Sequence, residues 1–177
     1  MSLKSLPIPP VPEEMARIAH AVFPRGNVVM HLRDTLGAIY TDEAFADLIP
    51  THGQPALAPW RLALVTVLQF MEGLTDRQEA FAVGDRLAWK YALSLEVTDP
   101  GFDHTVFFEF RSRLVVGHAE QRLFDLLLER CREGGWLKAR GRQRTDSTHV
   151  LAKIRALNRT LCVAQTMVYV LNVRIAR

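Results

Sequence analysis

Cysteine is scarce in this sequence. The two present, Cys131 and Cys162, lie too far apart for a metal-ligand or redox-motif spacing. They read as reduced thiols of a cytoplasmic protein. Long hydrophobic runs are lacking too. The longest apolar-rich stretch, TLCVAQTMVYVLNV, contains polar residues and falls short of the roughly 18–20 residues that a membrane span needs. No secretory signal opens the chain: MSLKSLPIPPVP has no apolar core and is interrupted by four prolines. Residues 1–11 therefore read as an extended tail. HExxH, GxSxG and a glycine-rich phosphate loop are all missing, which removes the simplest metalloprotease, hydrolase and nucleotide-binding readings.

What remains is an ordinary globular composition, 49% hydrophobic and 23% charged in 177 residues. The net charge of +3 is unevenly spread. Residues 1–129 hold 11 Lys/Arg and 17 Asp/Glu, a net −6, while residues 130–177 hold 11 and 2, a net +9. A basic quarter on an acidic body suits a polyanion site. It equally suits a solvated face, or a segment that docks onto acidic residues of the same chain.

Hydrophobic spacing predicts seven or eight short helices over residues 12–134. Pro12, Glu13 and Glu14 open the first. Residues 28–40 form the second pattern, and Asp42 begins a third. APWRLALVTVLQFMEG, residues 58–73, is the most apolar. Thr75 and Gln78 form a capping-box pattern for TDRQEAFAVGDRLAWKYALSL, which Gly84 is placed to break. Two more helices follow, DHTVFFEFRSRLVV and HAEQRLFDLLLERCREGG. Charge and pattern change at residues 134–142. Beyond that, RQRTDSTHV reads as a strand. Leu157, Leu161, Ala164, Val168, Leu171 and Ile175 then form an apolar stripe at alternating spacings of four and three.

Most candidate chemistry has a plain structural alternative. Asp99 and Asp103 flank a Pro-Gly turn and suit turn formation and helix capping. His52 lacks an obvious partner, and His118 precedes a helix. Arg77, Arg86 and Lys90 fit either phosphate contact in a helix-turn-helix or ion pairs between packed helices. Asp146 differs, being alone among Arg142, Arg144, His149, Lys153, Arg155 and Arg159. A carboxylate at a strand end suits Mg²⁺, which uses one or two protein carboxylates with phosphate and water oxygens. The surrounding cations suit a nucleic-acid backbone. An ion pair with Arg144 accounts for the aspartate equally well.

Residues 143–159, QRTDSTHVLAKIRALNR, resemble the start of the catalytic domain of bacterial insertion-sequence transposases of the DDE class. Upstream, a DRQ helix start, a WKYAL segment, a DPGFD turn and an EFRxRL helix occur in that order, similar to the InsH-type N-terminal domain of those proteins. The resemblance runs from about residue 5 to about residue 172. It implies a mainly α chain: a helical domain over residues 12–134, then over 135–177 the first strand and a helix of an incomplete RNase H-like domain. It also implies DNA as partner, DNA transposition as activity, and Asp146 as the first of three acids that hold Mg²⁺ in a complete catalytic domain. Arg142, Arg144, Lys153, Arg155 and Arg159 would contact DNA. No acid follows Asp146, a departure from the family pattern. The expectation is therefore a truncated or split transposase, inactive alone. The alternative is a non-catalytic DNA-binding or dimerising fragment that regulates a full-length relative. The stripe from 157 to 175 is expected to make the chain self-associate or poorly soluble.

Overall fold

A computed structural model describes residues 7–50 and 57–137. The architecture is mainly helical, as the sequence predicts. Helix α1 spans Glu13–Val22, α2 Val28–Leu36, α3 Pro59–Glu72, α4 Asp76–Asp85, α5 Leu87–Ala92, α6 His104–Val116 and α7 Glu120–Glu133. A 3-10 segment, Glu43–Leu48, lies between α2 and α3.

Local chemistry sets several of the ends. Asn27 Oδ1 accepts from Val29 N at 2.8 Å to start α2. Asp103 Oδ1 accepts from Thr105 N at 2.9 Å to start α6. Both satisfy helix N-H groups that have no partner within the helix. At the head of α4, Gln78 Oε1 accepts from Thr75 N at 2.9 Å, the reach-back half of the capping box. Gly73 ends α3 in the left-handed region, at φ 65°.

Two expectations need correction. The helical pattern over residues 28–40 continues past the real helix. Gly37 stops α2 at φ 62°, and Ile39 and Tyr40 reach the core from non-helical backbone. The helix expected after Asp42 is a 3-10 segment without a side-chain cap. The Asp42 carboxylate instead accepts from Trp60 N at 3.2 Å, at the start of α3.

Helix α3 is the centre of the core. Every residue from Leu62 to Gln69 is buried, so this helix is apolar nearly all round, as a fully enclosed helix must be. The 3-10 segment, α4 and α6 pack on it, while α5 packs on α1 and α2. Phe45, Phe107, Phe110 and Trp89 fill the space between them and are almost wholly buried. Tyr40 donates to the Leu123 carbonyl at 3.0 Å and so ties α7 to this core. The core also takes in Trp136, which lies stacked on His31 with ring centroids 6.0 Å apart. Ile8 and Val11 pack on it from the N-terminal side.

Candidate functional site

The sequence motifs meet in space at two polar clusters. The first joins α3, α4 and α6. Glu79, three residues after Asp76, turns inward beside Ala82 and Val83 and is completely buried. Arg111 of α6 faces it. The guanidinium Nη1 donates to Gln69 Oε1 of α3 and lies 3.4 Å from Glu79 Oε2. Its Nη2 lies 2.9 Å from Asp76 Oδ1 as an ion pair, without hydrogen-bond alignment. Gln69 Nε2 donates to the same Asp76 oxygen at 3.0 Å. The DRQ and EFRxRL motifs are thus two halves of one internal lock.

That lock is imperfect. Glu79 Oε1 is buried with no hydrogen-bond partner. Burial pushes the Glu79 carboxyl up to about 7 from its usual 4.5, with Arg111 opposing and Asp76 adding to the shift. The folded state therefore holds this proton more tightly than the unfolded chain does. Stability should fall as pH rises from about 4.5 to about 7, by at most about 3 kcal/mol, and level off above. Glu79→Gln removes the titrating group, keeps its shape, and should flatten that window. Urea denaturation at pH 5, 6, 7 and 8 reads the difference. Equal pH slopes in both proteins would rule out Glu79 as the source.

The second cluster holds the segment between α5 and α6. Lys90 is only 5% exposed. Its Nζ donates to the Val97 carbonyl at 2.6 Å and the Asp99 carbonyl at 2.7 Å. Asp99 Oδ1 accepts from Gly101 N at 2.8 Å, the turn role that its place before Pro-Gly suggests. Arg86 pairs with Glu72 and lies 5.7 Å over the Trp89 ring, and Trp89 Nε1 donates to Glu72 Oε1 at 2.8 Å. Lys90 and Arg86 thus serve the fold, which favours the helix-packing alternative over phosphate contact. Arg77 is exposed and has no partner among the described residues.

Other cations are also engaged internally. Arg61 donates to the Leu93 and Ser94 carbonyls, Arg33 to the Pro9 carbonyl and Ser94 Oγ. Arg122 pairs with Asp47, Arg113 with Glu109, and Arg130 with Glu133. Apart from Arg77, only Arg17, Arg25 and Arg132 lack such contacts among the described residues.

Asp146 and the cations Arg142, Arg144, Lys153, Arg155 and Arg159 lie outside the described residues, as do His52 and the expected strand. Among the described residues, no three His, Cys, Asp or Glu side chains are placed to hold a metal. None of the helices there is long and apolar enough to cross a membrane. Sequence reasoning missed Glu79, Gln69 and Arg111. A signal was present: each is a polar residue on an otherwise apolar helical face, which burial requires to be paired.

Residues 17–113, more than half of the chain, match a family described as transposase domain (DUF772). The chain belongs to that family. All of the first cluster and the Gly101 turn fall inside the matched span. No curated protein and no solved structure matches the chain.

Proposed function

We propose that this chain is the N-terminal part of a DDE-class transposase, acting in DNA transposition. In this reading the helical domain is a scaffold, residues 135–177 begin the RNase H-like catalytic domain, and the partner is DNA. The transposase family match supports the coarse role. The observation that carries the division of labour is where the cations go. In the helical domain, most hold carbonyls or carboxylates of the domain itself, and residues 1–129 carry a net −6. Such a body repels phosphate. The resemblance would give DNA contact to Arg142, Arg144, Lys153, Arg155 and Arg159, in the basic segment that follows.

Asp146 would supply one oxygen ligand to Mg²⁺, whose part is to stabilise charge during phosphoryl transfer. A second reading makes the chain a DNA-binding or dimerising fragment that regulates a full-length relative.

A gel-shift titration against salt tests the assignment. Log affinity should fall with log salt by about 0.9 per neutralised phosphate. Changing Arg142, Arg144 and Arg155 together to Ala should flatten the slope by up to roughly three such units. Arg86→Ala should leave it unchanged. A slope insensitive to the triple change, or no DNA binding at all, overturns the proposal.

A further inference from the structure

One face of α4 carries a charge pattern that the described fold leaves unused. Arg77, Phe81 and Asp85 follow one another at intervals of four. They therefore share one side of the helix, away from Glu79, Ala82 and Val83, which are buried. All three are exposed, Phe81 by 76%. Arg77 and Asp85 have no ion pair or side-chain hydrogen bond among the described residues. They stand two turns apart, about 12 Å along the axis, with the ring midway between them. Both are also set against the helix dipole. Arg77 lies in the first turn, at the positive end, and Asp85 is the last residue, at the negative end. The same three residues join Ala80, Gly84 and Phe102, among others, around a groove of about 560 Å³. Ala80 and Gly84 bring little bulk to its wall, which leaves room beside Phe81 for another ring.

We infer that this face of α4 is a self-complementary interface whose occupant is α4 of a second copy of the chain, packed antiparallel across a two-fold axis. The order cation, ring, anion is matched by its own reverse. In that arrangement Arg77 of each copy meets Asp85 of the other, and the two Phe81 rings meet at the axis, each beside the other's groove. A two-fold contact uses the same patch on both partners, which is what this pattern supplies. Charge selects this occupant, because a partner of one sign throughout would satisfy one end of α4 and be repelled at the other. The dipole selects the antiparallel sense. It sets Arg77 beside the other helix's negative end and Asp85 beside its positive end, the reverse of what each meets in its own helix. The chain's net charge of +3 is small, and exposed charges beyond about 8 Å are screened at physiological salt, so long-range repulsion between copies is weak. With 10 residues, α4 is about 15 Å long. A contact built on it falls below the standard interface of about 1,600 Å², so the dimer forms reversibly with concentration. The inference is independent of DNA binding and holds for either functional reading above.

Sedimentation equilibrium of the full chain should show a monomer–dimer equilibrium. Phe81→Asp should weaken it about a hundredfold or more, since two large rings lose their cover at once. Arg77→Asp alone, or Asp85→Arg alone, should weaken it about tenfold or more, because both ion pairs turn repulsive. Mixing those two single variants should restore the dimer, now as a heterodimer in which each acid again faces a cation. The double variant, Arg77→Asp with Asp85→Arg, should recover self-association as well. Val22→Asp, at an exposed position on α1, should leave the equilibrium unchanged. These positions are exposed, so each variant should keep the helical circular dichroism of the wild type. A wild type that stays monomeric at every concentration overturns the proposal and leaves the face to another segment or partner. Association that neither single change weakens overturns it, as do single variants that fail to recover on mixing. Weakening by Val22→Asp as strong as that by Phe81→Asp overturns it too.

Discussion

Arg111→Ala is expected to lower stability by about 3–5 kcal/mol at pH 8, the cost of leaving a buried charge without its partner. At pH 5 the loss should be smaller, by up to about 1.4 kcal/mol, the most that one proton can contribute between pH 7 and pH 8. The reason is Glu79. With Arg111 present, burial already pushes its carboxyl up to about 7. Removing the guanidinium takes away the one charge that lowers it, so the proton is held more tightly still. At pH 5 Glu79 is protonated in the folded variant, and no buried charge remains to be compensated. As pH rises both proteins lose stability at the same rate up to about pH 7, where the wild type levels off while the variant goes on losing it, so the two diverge above pH 7. Glu79→Gln added to Arg111→Ala should recover most of the loss at pH 8. A double-mutant cycle from urea denaturation at both pH values measures this coupling. If Arg111→Ala costs the same at pH 5 and pH 8, the guanidinium acts through Gln69 and Asp76 rather than Glu79.

This lock explains why the helices were legible in the sequence while the polar core was not. Periodicity, the Thr75/Gln78 pattern and Gly73 place α3 and α4 because those signals are local: apolar spacing, a cap and a left-handed glycine. Residues 28–40 misled for the same reason. Ile39 and Tyr40 are buried at helical intervals from Leu32 and Leu36, yet Gly37 turns the chain first. Tertiary burial, not helix, keeps them apolar. The Glu79–Arg111 pairing spans 32 positions and leaves no local trace beyond two polar residues on apolar faces. The DRQ and EFRxRL motifs were visible as recurring strings, and only the fold shows that they contact each other. Asp146 and its basic neighbours were the most conspicuous feature of the sequence, yet they lie beyond the described domain, so that part of the reading rests on charge and resemblance.

The second large effect is expected at the turn that closes α4 against α6. Gly101 has φ +82°, and a Cβ there would meet Gly84 N at 2.9 Å and Cα at 3.1 Å. Backbone cannot swing aside as a flexible side chain can. Gly101→Ala therefore adds left-handed strain, about 1–2 kcal/mol, to overpacking of about 1–3 kcal/mol, a combined loss of roughly 2–5 kcal/mol. Gly84→Ala probes the same contact from the other side. An alanine inside a helix is ordinarily favoured over glycine by about 1 kcal/mol. At this position its Cβ would lie 2.6 Å from the Pro100 carbonyl oxygen, so the sign should reverse and the change should destabilise. Gly73→Ala is the control, having φ +65° and nothing within 4 Å; strain alone should cost it about 1–2 kcal/mol. Lys90 holds the Val97 and Asp99 carbonyls of the same segment, so a turn forced away from Gly84 strains those bonds as well. Thermal unfolding of the three variants should rank Gly101→Ala as most destabilised. A stabilised Gly84→Ala would show that the turn yields freely, and that the close approach of DPG to α4 contributes nothing to holding the helices together.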